Sequence, residues 1–369
     1  MKTARIAAVL LIIGLAACGP RGQLVVHPPA AEVGAVIPIH VASARSPDGG
    51  TNAFAADRAS GPSFSRFEVS VPPDRRPGTV TFPRALPPDP RTDFLTVSAR
   101  GLGGESGLVA ALNAELAPLP RAEREVFVFT HGFNTNFSEG LYRQAQMAQD
   151  FGTGGASVHF SWPSAAAVAA YAYDRESAIF ARDALAATLR AVARSNAERI
   201  VVAAHSMGAL VMMEALRSLA LEDARAVFAR LQAIVLMNPD LDIDVFRGQV
   251  AALDRFDTPV YVFFNSQDRA LRASAILRGG GERLGSVRDL ATVQALEVTL
   301  IDTGAFNDGD DALGHFAVAT SPTMIALIRG MDRIGAAVFE DAANRPNPVE
   351  ATLNVVQGVG EAVLTPLAQ

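Results

Sequence analysis

The chain has 369 residues, 49% of them hydrophobic and 19% charged, which is enough apolar material for one large core or two modest domains. Its formal net charge is −6 and Lys2 is its only lysine, so no basic patch of the kind that tracks a nucleic-acid backbone is expected. A single cysteine, Cys18, excludes an intrachain disulfide.

Residues 1–17 have the form of an export signal: Lys2 and Arg5, an apolar run from Ile6 to Leu15, then small residues up to Cys18. The run is shorter than the roughly 20 residues that a membrane-spanning helix needs. Leu15–Ala16–Ala17–Cys18 resembles the lipobox of bacterial lipoproteins. That resemblance implies cleavage before Cys18, lipidation of its thiol and a place in the bacterial cell envelope. With Gly19 and not aspartate next, the outer membrane facing the periplasm is the expected location. Several acyl chains on one residue would hold the protein stably.

Residues 18–34 contain proline and glycine without periodicity and are expected to be a tether. Residues 35–119 form an N-terminal region. Ala35–Ala42 is a candidate strand whose Pro38 suggests a sheet edge, Arg66–Val71 alternates like a half-exposed strand, and Phe94–Ala99 is a third candidate. Between them, Ser43–Gly61 and Pro72–Pro90 have loop composition, and a helical pattern runs from about Gly104 to Leu116. From residue 120 to 335 strands alternate with helices. The strands are Glu125–Thr130, Ala156–Ser161, Arg199–Ala204, Gln232–Met237, Val260–Asn265 and Val298–Ile301. Helices are expected near Phe137–Asp150, Ala165–Asn196, Met207–Leu221, Val245–Leu253 and Ser321–Met331. Apolar strands alternating with helices predict an α/β fold, a mostly parallel central sheet with helices on both faces. Residues 336–369 form a C-terminal extension without a clear pattern.

The chemistry centres on Ile200–Val201–Val202–Ala203–Ala204–His205–Ser206–Met207–Gly208. A buried strand, a serine flanked two residues away by small side chains, and a helix together make a nucleophile elbow, here Ala-His-Ser-Met-Gly. In such chains an acid and then a histidine follow the serine. Of six histidines only His315 lies beyond Ser206, which makes it the candidate base. Asp268 ends the Val260–Asn265 strand segment and is the candidate acid; Asp240, Asp242 and Asp244 are its rivals, with turn and helix-capping duties as their ordinary alternative. The backbone N–H groups of Met207 and of Phe133, in the loop His131–Gly132–Phe133–Asn134, are candidates to hold an oxyanion. Asn134 would pin that loop or cap the next helix.

From about residue 120 to 330 the chain resembles the α/β-hydrolase superfamily. Within it, the chain is similar to an uncharacterised bacterial family known only as a domain of unknown function. The matching segments are His131–Asn134, Ser161–Trp162–Pro163, His205–Gly208, Asn238–Pro239–Asp240 and Asn265–Leu271. The resemblance implies the α/β-hydrolase fold and a hydrolase without an established substrate.

These readings together predict a membrane-anchored serine hydrolase of a carboxylic ester or thioester, using Ser206, Asp268 and His315. His131, Gly132, Asn134, Trp162 and His205 are expected around the substrate. Trp162 has packing as its ordinary alternative, and Tyr171 and Tyr173 in an Ala-rich stretch have helix packing. Gly279–Gly280–Gly281 with Arg283 lacks a P-loop ending and is expected to be a flexible loop. His131, His159 and His205 have no metal-ligand spacing, so no metal is expected, and the chemistry needs no cofactor. The competing reading is a non-catalytic binding or scaffold lipoprotein on a hydrolase fold.

Overall fold

The computed structural model describes residues 21–48, 53–277, 280–293, 296–306 and 308–334. Cys18, the export signal and the extension from residue 336 lie outside the described residues. Among the described residues nine strands form one sheet: β1 (Ala35–Pro47), β2 (Phe54–Val71), β3 (Leu95–Gly101), β4 (Glu125–Thr130), β5 (Ala156–Ser161), β6 (Arg199–His205), β7 (Leu231–Met237), β8 (Val260–Phe264) and β9 (Thr299–Asp302). Their spatial order is β3-β2-β1-β5-β4-β6-β7-β8-β9. The pairs β1–β2 and β2–β3 are antiparallel and every other pair is parallel.

The longer helices among the described residues are α1 (Glu105–Leu116), α2 (Phe137–Phe151), α3 (Tyr171–Ala193), α4 (Gly208–Leu221), α5 (Ile243–Ala251), α6 (Arg269–Leu277) and α7 (Pro322–Ile334). Side chains alternate across the sheet, so each central strand feeds two cores. Val126, Val128, Ile200, Val202 and Ala204 face the larger core, built with Leu108, Leu112, Leu185, Met212 and Phe246 of the helices α1, α3, α4 and α5. Phe127, Phe129 and Ala203 face the opposite side, with Met147 of α2 and Met324 and Ile325 of α7. A third cluster joins Ile39, Val41, Phe67 and Val69 to Phe137, Leu141 and Tyr142 of α2. The fold is an α/β hydrolase arrangement with its sheet extended by an antiparallel N-terminal layer.

The structure departs from the sequence expectation in four ways, three of them in that layer. First, residues 21–34 are not a free tether: Val26 bridges Thr96, and Arg21 and Gly22 hydrogen-bond the loop and first turn at the start of α2. Second, most of the Ser43–Gly61 stretch is strand, because its polar side chains find distant partners. Third, β1 is an interior strand. Pro38 is tolerated because pairing with β5 begins one residue later, at Ile39–Ser157, where no N–H of Pro38 is required. Finally, α3 starts at Tyr171 and not Ala165, because Ala165 N–H and Ser164 Oγ–H are taken by the Asp174 carboxylate at 2.7 and 2.6 Å.

Candidate active site

The candidate residues follow the carboxyl ends of parallel strands: Phe133 after β4, Ser206 after β6, Asp268 after β8 and His315 after β9. Ser206 stands between β6 and α4 with φ of +53°, a left-handed conformation that costs a non-glycine residue energy. The surroundings hold it there. Ser206 N–H donates to Met237 O at 3.0 Å, and its carbonyl accepts from Ala209 N–H and Asp240 N–H, both at 3.1 Å. Its Oγ has no hydrogen-bond partner among the described residues. Close approach of β4 and α4 requires Gly208, since a Cβ there would sit 2.3 Å from His131 O. A Cβ on Gly132 would sit 3.0 Å from Ser206 Cβ, so the loop after β4 packs directly on the serine.

His315 Nδ1 lies 2.6 Å from Asp268 Oδ2, and that carboxylate is fully buried. Asn238 Nδ2 donates to the same oxygen at 3.0 Å, and Leu271 N–H donates to Oδ1 at 2.9 Å. Asp268 thus also caps α6, a helix not anticipated from the sequence. Burial lowers the His315 pKa, but the charge and hydrogen bond of Asp268, then Asp311 and Asp240, more than offset it, leaving the pKa above its ordinary value. With Nδ1 committed to Asp268, Nε2 is the ring nitrogen left for chemistry.

The rival carboxylates are committed elsewhere. Asp240 accepts from Tyr171 Oη–H at 2.6 Å and Ser274 Oγ–H at 2.9 Å, beside the Arg283 guanidinium at 3.1 Å. Asp242 caps α5 through Asp244 N–H and Val245 N–H, and Asp244 pairs with Arg247 on the surface. Arg283 is buried against Asp240, and residues 283–285 cross the ends of β7 and β8 through bonds to Leu241, Pro239 and Asn265.

The loop His131–Thr135 has all five carbonyls occupied. Trp162 Nε1–H donates to His131 O at 2.7 Å, His131 Nδ1–H to Gly132 O at 2.9 Å, and Thr135 Oγ1–H to Phe133 O at 3.2 Å. Arg21 Nη2–H donates to Asn134 O and Arg45 Nη2–H to Thr135 O, both at 2.8 Å. Asn134 N–H donates to Asp174. The N–H groups of Phe133 and Met207 have no partner among the described residues.

Several residues expected around the substrate make contacts within the protein. Trp162 is wholly buried, stacked on the His131 ring at 5.2 Å, and His131 is buried with it, so both brace the loop from behind. Burial, then Arg45 and His159, push the His131 pKa well below its ordinary value and keep the ring neutral. His205 stacks on Phe316 at 3.8 Å and its Nε2–H donates to His315 O at 3.1 Å, which fixes the backbone of His315. Asn134 pins the loop and does not cap α2; Asn136 does, in a capping box with Glu139. Tyr171 touches Phe133 edge-on at 5.2 Å, whereas Tyr173 lies under Arg58 on the surface. Sequence reading missed Arg21, Arg45 and Asp174, since lone charged residues in stretches without a motif carry no signal.

The parallel sheet, the strained serine after β6, and the histidine–aspartate pair define an α/β hydrolase. The chain belongs to the family described as alpha/beta hydrolase of unknown function (DUF900), which it matches over residues 110–331. Comparison with curated proteins gave no match. Solved structures similar in arrangement include a dienelactone hydrolase from Anabaena variabilis, 9% identical, covering 72% of this chain and 90% of that one with a TM-score of 0.35. A dienelactone hydrolase-like promiscuous phosphotriesterase from metagenomic libraries is 15% identical, covering 80% and 99% with a TM-score of 0.36. The apo form of Thermogutta terrifontis esterase 2 is 12% identical, covering 77% and 92% with a TM-score of 0.31.

Proposed function

We propose that this hydrolase is a serine enzyme acting on carboxylic esters or thioesters. The observation that carries the reading is the buried 2.6 Å His315–Asp268 contact at the same sheet edge as a serine held at positive φ with its hydroxyl uncommitted. Ser206 Oγ attacks the carbonyl carbon while His315 Nε2 takes its proton, and Asp268 stabilises the imidazolium through Nδ1–H. The carbonyl oxygen becomes an oxyanion between the N–H groups of Phe133 and Met207. Collapse breaks the bond to the leaving alcohol or thiol, which receives the proton from His315. Water then repeats the sequence on the acyl-enzyme: His315 takes its proton, the carboxylic acid leaves, and Ser206 Oγ is reprotonated. The substrate is a small-molecule or lipid ester, and no cofactor takes part.

The reading includes lipid attachment at Cys18 and residence on an envelope membrane. Cys18 precedes Arg21 by three residues, a span of at most about 11 Å. Because Arg21 rests on the loop that carries Phe133, such an anchor would keep the reactive edge near the bilayer.

The test is fluorophosphonate labelling of the purified full chain beside Ser206→Ala, with cell fractionation of the parent and Cys18→Ser. The parent should label and Ser206→Ala should not, at unchanged melting temperature; Cys18→Ser should leave the membrane fraction. A folded parent that does not label would point to the scaffold role. A Cys18→Ser protein that stays membrane-bound would remove the anchor from the reading.

A further inference from the structure

The strongest unexplained feature outside the reactive groups is a pair of arginines from the N-terminal segment that end on the loop after β4. Arg45, on β1, is buried among neutral partners: Ser161 Oγ at 2.9 Å, Ser164 O at 2.9 Å, Ala55 O at 3.2 Å, Thr135 O at 2.8 Å, and His131 Nε2 at 3.5 Å. Among the described residues no carboxylate touches its guanidinium; Asp174 and Glu139 act on it only as charges at longer range. Burying a cation without a contacting counter-ion is costly, so the fold retains it against a stability penalty. What the guanidinium fork gains in return is geometry. It ties the loop after β4 to the loop after β5 at fixed separation. Arg21 closes the other side, donating to Asn134 Oδ1 at 3.1 Å and to Asn134 O at 2.8 Å while pairing with Glu139 at 2.5 Å.

The two arginines grip the residues immediately after Phe133, and Asn134 between them has φ of +55°. A left-handed residue at that point turns the chain so that the carbonyls of Asn134 and Thr135 face the arginines, and among the described residues the Phe133 N–H ahead of them has no partner. Arg45 and Arg21 lie outside the segment 110–331 that defines the family. We infer that Arg45 and Arg21 are positioning residues for the oxyanion loop, setting the direction of the Phe133 N–H without touching substrate. The inference rests on the serine mechanism proposed above.

The test compares the parent with Arg45→Lys and Arg21→Met, using an ester substrate and a trifluoromethyl ketone, whose tetrahedral adduct presents an oxyanion to the loop. Lysine keeps the charge of Arg45 but loses the planar fork, so it separates geometry from electrostatics. Complete loss of an oxyanion donor lowers turnover about 10²–10³-fold, and a displacement of about 1 Å costs about 10²-fold. Arg45→Lys should therefore lower kcat about 10²-fold and Arg21→Met about 10-fold, on that scale. KM should stay within about threefold, because the interaction lost is made only in the transition state. Affinity for the ketone should fall by the same factor as kcat, a readout that a purely structural role would not move. Arg21 is exposed, so Arg21→Met keeps the test decisive if Arg45→Lys lowers stability. Parental kcat and ketone affinity in the folded variants would overturn the inference, as would a rise in KM with kcat unchanged. A parent that fails to react with either reagent would instead sink the serine mechanism.

Discussion

At the scale of single residues, His315 carries the sharpest consequence. Its folded pKa is raised, against the effect of burial, by Asp268, Asp311 and Asp240. A general base works only when neutral, so activity should rise with pH through this group and its acid limb should lie above the ordinary histidine value of about 6.5. Asp268→Asn removes the largest of the upward contributions. The acid limb of kcat/KM should then move to lower pH while the plateau falls by orders of magnitude, the size found when a triad carboxylate is neutralised being about 10⁴-fold. A pH–rate profile of the two proteins checks this. An acid limb that stays in place in Asp268→Asn would mean that another group controls the ionisation. The positions of Ser206, Asp268 and His315 were legible in the sequence because chain order eliminated the other histidines and strand order pointed to Asp268. The contacts that His131, Trp162 and His205 make were not. Motif residues crowd around a reactive serine both in front of it and behind it, and spacing alone does not say which side a ring occupies.

At the scale of elements, β4 to β9 were legible because they appear as short, mainly apolar runs alternating with helical patterns. The hairpin arms within Ser43–Gly61 were not, since Arg45 and Arg58 look like loop residues until their partners on β5 and α3 are known. Nor was α6, because its capping residue Asp268 reads in the sequence as the acid that follows the serine. The proline-rich stretch after β2 has little regular structure, as its composition suggests, yet it is firmly attached to α2. Arg75 donates to both oxygens of Asp150, at 2.5 and 3.0 Å, and the pair is largely buried. Gly78 N–H at 2.7 Å and Gln146 Nε2–H at 2.6 Å complete the carboxylate's hydrogen bonds. Asp150→Ala would strand the Arg75 charge inside, so unfolding should become easier by about 3–5 kcal/mol, the usual cost of breaking a buried pair. A shift below about 1 kcal/mol in urea titration, the value of an exposed pair, would mean that water already reaches Arg75.

At the scale of the whole molecule, the family segment 110–331 and the folding unit are not the same object. β1 pairs with β5 from Ile39–Ser157 to Ser43–Ser161, and so converts what would be an open edge into the middle of the sheet. A chain beginning at residue 104 would expose the β5 edge, a template for intermolecular pairing. It would also uncover Phe137, Leu141 and Tyr142 of α2, which pack against Ile39, Val41, Phe67 and Val69. Each large side chain returned to water costs about 1.5–3 kcal/mol, so these three alone are comparable with the roughly 5–15 kcal/mol that stabilises a typical domain. Arg21 and Arg45 would be lost in the same cut, leaving the carbonyls of Asn134 and Thr135 without donors. The chain from residue 104 should therefore aggregate or melt without cooperativity, whereas a chain from residue 21 should remain soluble and react with fluorophosphonate. Scanning calorimetry and labelling of the two decide it. A shorter chain that is monomeric, cooperative and labelled at the parental rate would reduce the N-terminal strands to an appendage. The opposite result would make the antiparallel layer part of the hydrolase itself, since the same residues that close the sheet also hold the loop beside its serine.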